Sequence, residues 1–164
     1  MVFSLIIIQN RVSMDQLIIE KLIRAGEFQE AQTKIINQDG SEAVFEYLML
    51  RAKIYVLESN HKGGLIAVNQ ALDLVKKDND KAKQLRALMI KSEIMSYHSP
   101  DQAWETFKHV DEIINEITFS KISLVDLTEY YHVRAAILIG LREFNDARDN
   151  LSNLLIIVEK LNDN

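Results

Sequence analysis

A small residue recurs at Ala31, Gly64, Ala103 and Ala147, each time between a helix-forming stretch and the next amphipathic run. Self-similarity on this scale marks stacked helix pairs. A single pair cannot bury its own apolar face, and the stack commonly exists to offer a surface to another molecule. The length of 164 residues fits one domain, expected over residues 13–162 behind an apolar segment at 1–12. A chain of this size buries roughly 70% of the surface that it exposes when unfolded.

Helix is expected nearly throughout. One proline, five glycines and an abundance of Leu, Ile, Ala, Lys and Glu favour it on propensity, although the isoleucine content would also suit strands. Periodicity decides between the two. Leu48, Ala52, Tyr55 and Val56 fall at spacings of three and four, as do Leu65, Val68, Leu72 and Val75, with Ser59 to Gly63 between the two stripes. Ser13-x-x-Gln16, Ser123-x-x-Asp126 and Ser99-Pro100-Asp101-Gln102 read as helix starts, the last with a capping hydroxyl and a proline at the first helical position. Eight helices are predicted, at about 13–25, 27–38, 41–58, 62–77, 79–97, 100–118, 123–141 and 143–162.

Laid over one another, the four pairs resemble the tetratricopeptide repeat family. The best match is Leu48, Ala52, Tyr55, Gly64, Val68, Ala71. The fourth pair supplies Tyr131, Ala135, Leu138, Ala147, Leu151, Leu154, with Ala135 and Ala147 twelve apart like Ala52 and Gly64. The third supplies Ser92, Met95, Ala103, Phe107 and Val110, one residue shorter across its turn, and the first Ile19, Leu22, Gly26, Ala31 and Ile35. Small residues let two helices approach closely and bulky ones fill the groove between pairs. The resemblance implies a right-handed, all-α solenoid of antiparallel helix hairpins, about eight helices in four repeats. The small residues lie 33, 39 and 44 positions apart (31 to 64, 64 to 103, 103 to 147), against a family period of about 34, so the helices are lengthened. No proline ends a repeat, and Trp104 lies beside the second-helix small position. A generic eight-helix bundle is the plain alternative.

In such a solenoid the first helix of each pair lines a concave face that grips peptides or helices. The resemblance assigns to it Met49, Leu50 and Lys53 from the second pair, Arg86, Met89, Ile90 and Glu93 from the third, and His132, Val133 and Ala136 from the fourth. A face apolar at its centre suits an amphipathic helix or an apolar peptide. The alternative reading makes Met49, Met89 and Ile90 core between neighbouring pairs, and Lys53 and Glu93 a solvated face. The Lys and Asn arrangement with which some family members clamp a terminal carboxylate is not reproduced. Gln16, Glu20 and Leu50 stand at its positions, and only Arg86 is basic.

Both chain ends are apolar. Leu154 to Val158, including Leu155, Ile156 and Ile157, and the run through Leu5 and Ile7 are expected to be covered by each other, by a twofold mate in a homodimer, or by docking of the N-terminal run on its own solenoid. Met14 also opens a good helix and offers an alternative start, which would leave residues 1–13 without a function.

The remaining function classes narrow quickly. Nineteen basic against 24 acidic residues give a net charge of −5, with no basic stripe longer than Lys76-Lys77, which disfavours nucleic acid. The N-terminal apolar run is too short to span a bilayer and lacks a basic flank and a cleavage site. The absence of cysteine fits a cytoplasmic protein. The nearest metal pattern is Glu129-x-x-His132 on one helix with Glu105, His109 and Glu112 on another, whereas carboxylate-bridged bundles use two Glu-x-x-His turns. Gly63-Gly64 has neither the preceding strand nor the Gly-Lys tail of a phosphate loop. The expectation is therefore a non-enzymatic scaffold or adaptor for a protein or peptide, without cofactor or bound metal. The alternatives are a sensor module for a signalling peptide and a metal-binding bundle or enzyme subunit.

Overall fold

The computed structural model describes residues 18, 21–22, 25, 27, 29–30, 33–34, 41–78, 80–117 and 122–162. Among them are six long helices and no strand: α1 (Ser41–Leu57), α2 (His61–Asp78), α3 (Lys81–Ser96), α4 (Pro100–Ile117), α5 (Leu124–Gly140) and α6 (Phe144–Asn162). The protein is all-helical over these residues, and each of the six helices starts and stops within two residues of its predicted bounds. The two helices predicted at 13–25 and 27–38 lie mostly outside the described residues. Ile18, Lys21, Leu22, Gln29, Glu30, Thr33 and Lys34 are helical. Ala31, Ser13, Gln16, Leu5 and Ile7 also lie outside.

The chain divides into two compact units, residues 1–47 and 48–164. In the first, the Ala25 N–H donates to the Lys21 carbonyl and the Glu27 N–H to that of Leu22, both at 2.9 Å. These bonds end a helix where the sequence breaks at Gly26.

The second unit builds the same turn twice. Glu58 N–H donates to Ile54 O (2.9 Å) and Asn60 N–H to Tyr55 O (2.7 Å). Eighty-three positions on, from Tyr55 to Leu138, Leu141 N–H donates to Ile137 O and Glu143 N–H to Leu138 O, both at 2.9 Å. Ser59 (φ 58°) and Arg142 (φ 66°) occupy the left-handed position that such a helix ending requires, and their N–H groups reach Val56 O and Ile139 O at 3.0 Å. The turn between α3 and α4 lacks this residue. Ser99 N–H bonds directly to Met95 O (2.9 Å), and Pro100, with no N–H to satisfy, opens α4. That missing residue is why Ser92 and Ala103 are eleven apart while Ala52 and Gly64 are twelve.

Each second helix then carries its small residue at the same place. Gly64, Ala103 and Ala147 donate to the carbonyls of Asn60, Ser99 and Glu143 at 2.9 to 3.0 Å, and all three are buried. Close approach is visible at Gly64, where a Cβ would come within 2.9 Å of Ile94 Cδ1 and 3.5 Å of the Ala52 carbonyl oxygen. A side chain there would displace the tip of Ile94, while its contact with the α1 backbone would be ordinary.

Helix α3 is the centre of the unit. It packs against α2, α4 and α5, and α4 and α6 also flank α5. Its Leu85, Ala87, Leu88, Met89, Ile90, Ser92 and Ile94 are all buried, so apolar residues cover most of its circumference. Phe107 and Tyr130 meet across α4 and α5 with ring centroids 5.3 Å apart, and Tyr130 donates to Asp111 Oδ1 at 2.8 Å. Arg134 lies over the Trp104 ring at 5.7 Å, which places the single tryptophan at this junction. Helix starts follow the expected chemistry. Ser123 Oγ accepts from Asp126 N–H at 3.0 Å, and Asp80, not singled out from sequence, caps α3 by accepting from Lys83 N–H at 3.1 Å.

Candidate partner-binding face

The first helices of the hairpins, α1, α3 and α5, carry the residues assigned to a concave face, and burial sorts them into two groups. Met49 (2% exposed), Met89 (0%), Ile90 (1%) and Val133 (0%) are core. The apolar centre expected for the face is therefore not offered to a partner. For Met89 and Ile90 the physical reason is the position of α3, which is covered by helices on three sides and leaves its consecutive apolar residues no route to solvent, and Val133 lies on α5, which packs against α3, α4 and α6. The run Ala87-Leu88-Met89-Ile90 held the signal in sequence, because four adjacent apolar residues point all around a helix and not along one stripe.

Lys53 and His132 are exposed, and Leu50, Arg86, Glu93 and Ala136 are half-buried. Lys53, Glu93 and Ala136 each directly follow the small residue of their helix, so the repeat register puts them in equivalent places. Lys53 Nζ on α1 pairs with Glu129 on α5, 3.4 Å from each carboxylate oxygen. Glu93 on α3 lies within the field of both, together with His132. Burial pushes its carboxyl above the usual range, the Glu129 charge pushes in the same direction, and His132 and Lys53 oppose. The open part of the surface is thus a charged cluster drawn from three helices. The repeat register had assigned His132 to this face, whereas sequence spacing singled out Glu129 only as part of a metal pattern with it. The structure joins Glu129 to a lysine 76 positions away, which no local motif could signal.

On α4, His109 pairs with Glu112 at 3.0 Å, and Lys108 with Glu105. Among the described residues no three His, Asp or Glu side chains converge as metal ligands. Two open clefts, of about 150 Å³ beside Arg51 and Tyr55 and about 280 Å³ beside Lys81 and Glu116, fall below the roughly 300–1,000 Å³ usual for small-molecule sites.

The last helix presents a second surface. Ala147 and Asn150 face inward, while Leu151, Leu155 and Ile156 are 43%, 59% and 49% exposed and Phe144 is 64% exposed. Ile157 is half-buried. Among the described residues no helix is long and apolar enough to cross a membrane.

Comparison of the chain with protein-family models, with curated proteins and with solved structures found no match.

Proposed function

We propose that this chain is a non-catalytic, cytoplasmic module of stacked helical hairpins, a lengthened relative of the tetratricopeptide repeat solenoid, that binds a protein partner as a scaffold or adaptor. The observation that carries this reading is the recurrence of one turn with equivalent backbone bonds ending at Glu27, Asn60 and Glu143, each followed four residues later by a small residue at Ala31, Gly64 and Ala147. Repetition of a unit that cannot stand alone favours a binding surface over a catalytic pocket.

The working face in this proposal is Lys53, Glu93, Glu129 and His132, bordered by Leu50, Arg86 and Ala136. The mutual repulsion of Glu93 and Glu129 suits a partner segment that carries basic side chains, because a cation brought to Glu93 relieves it. Nucleic acid does not fit such a surface.

Affinity purification from the native host, comparing wild type with a Glu93→Lys, Glu129→Lys variant of unchanged helicity, tests the proposal. A partner held by wild type and lost by the variant is the expected result. Identical partner sets in both would overturn the assignment of the face. Met89 and Val133 are unsuitable for this test, since a charge at either would unfold the core.

The exposed Leu155 and Ile156 favour a second reading, a homodimer through apolar chain ends. Sedimentation at high protein concentration tests it, and a monomer there would remove the dimer.

A further inference from the structure

We propose that His61 and His98 form a two-imidazole site for a first-row divalent transition metal, with Cu2+ preferred over Ni2+ and Zn2+. His61 is the first residue of α2, and His98 is the middle residue of the turn between α3 and α4. They are 37 positions apart, yet His61 Nδ1 and His98 Nε2 face each other at 2.5 Å. The rings meet edge-on, with centroids 4.6 Å apart and planes at 61°. Among the described residues His61 and His98 meet each other, whereas His109 pairs with Glu112.

The two rings are held by the backbone on both sides. Asn60, directly before His61, fixes the start of α2 by accepting from Gly63 N–H through its side chain at 3.0 Å. His98 is fixed by its own N–H, which donates to Met95 O at 3.1 Å. The close packing of Gly64 on Ile94 sets the distance between the helices that carry the two turns. Tyr97 stacks on the His61 ring with centroids 4.7 Å apart and planes within 13°, which restricts its rotation. His98 and Tyr97 are exposed and His61 half-buried, so a solvated ion can reach the nitrogens.

Neutral imidazole nitrogens are ligands for copper, nickel and zinc, whereas magnesium and calcium prefer oxygen. Two metal–nitrogen bonds of 2.0–2.1 Å at a cis angle hold their nitrogens roughly 2.9–3.4 Å apart, a separation that a small rotation of the exposed His98 ring supplies. Water completes the coordination shell. The metal would clip the α1–α2 turn to the α3–α4 turn, and because the unfolded chain separates the two rings, it would bind the native state in preference.

The test uses untagged, chelator-stripped protein titrated with Cu2+, Ni2+, Zn2+ and, as a hard-cation control, Mg2+. Thermal unfolding, calorimetric affinity and the nitrogen splitting in the Cu2+ paramagnetic resonance spectrum are read. Wild type is expected to bind one Cu2+ with two nitrogen ligands and to melt at a higher temperature with copper, less so with nickel or zinc, and unchanged with magnesium. His61→Gln and His98→Gln should each weaken copper binding at least tenfold, while His109→Gln and His132→Gln stay within twofold of wild type. Circular dichroism establishes that each variant folds, and His98→Gln, in an exposed turn, provides the reading independently of His61. An unchanged melting temperature with copper, retention of affinity in either of the first two variants, or equal loss in the two controls would overturn the proposal.

Discussion

Lys53 and Glu129 form an ion pair across the first helices of two non-adjacent hairpins, 3.4 Å apart although 76 positions separate them in the chain. Glu93, on the helix between those hairpins, shares their field. The pair thus ties α1 to α5 over the face that α3 also borders.

Both partners are partly exposed, so the pair alone contributes little, about 0.2–1 kcal/mol. Reversal of the charge adds repulsion from Glu93 and Glu129. Lys53→Glu is expected to lower stability by about 1 kcal/mol in urea unfolding at low salt, and by clearly less at 1 M NaCl, where screening acts over roughly 3 Å. A loss that does not respond to salt would trace the effect to lost packing of the lysine stem.

Burial holds the Glu93 carboxyl above its usual range, with Glu129 adding to the shift. The folded protein therefore keeps a proton that the unfolded chain has already released, and stability falls as pH rises from the unfolded value through the folded one. Glu93→Gln removes this loss. The variant should be more stable than wild type at neutral pH and should show a flatter stability profile above the usual carboxylate range. A variant less stable than wild type at pH 7 would mean that attraction to Lys53 and His132 outweighs burial.

Ser92 occupies the small position that Ala52 and Ala135 fill in the neighbouring hairpins. It is fully buried, and its hydroxyl has no hydrogen-bond partner among the described residues. An unsatisfied buried hydroxyl costs about 1–3 kcal/mol, and alanine is the better helix former. Ser92→Ala is expected to raise stability by about 1 kcal/mol, or the melting temperature by about 2–4 °C. Destabilisation would imply a buried water bonded to the hydroxyl.

Arg142 and Ser59 hold positive φ at helix ends, where a Cβ is disfavoured. Relief of that strain outweighs the greater chain entropy of glycine. Arg142→Gly, at an exposed position, should stabilise by about 0.5–1 kcal/mol in equilibrium unfolding. The same change at Glu143, where no such φ occurs, should destabilise.

Much of the fold could be read from the sequence because the signals are local. Periodicity at three and four located α1 to α6, Pro100 and Ser123 marked helix starts, and the twelve-residue interval from Ala52 to Gly64 and from Ala135 to Ala147 anticipated two copies of one turn. The eleven-residue interval in the third hairpin likewise anticipated a turn one residue shorter, and the structure shows that the residue lost is the left-handed one. These features depend on hydrogen bonds and side-chain spacing within a few turns of helix, which the order of residues fixes directly.

The site was less legible, because it depends on which helix faces are covered. Met89, Ile90 and Val133 have the composition of an apolar groove, but α3 is packed by α2, α4 and α5, and α5 by α3, α4 and α6, which turns these residues into core. The charged face that remains, and the meeting of His61 with His98, join side chains 37 to 76 positions apart. The sequence by itself determined the helices, their turns and the places of close approach, since each is a short-range consequence of residue size, capping and backbone freedom. Only the tertiary structure decided which surface stayed open, because burial of one helix is a property of its neighbours and not of its own residues.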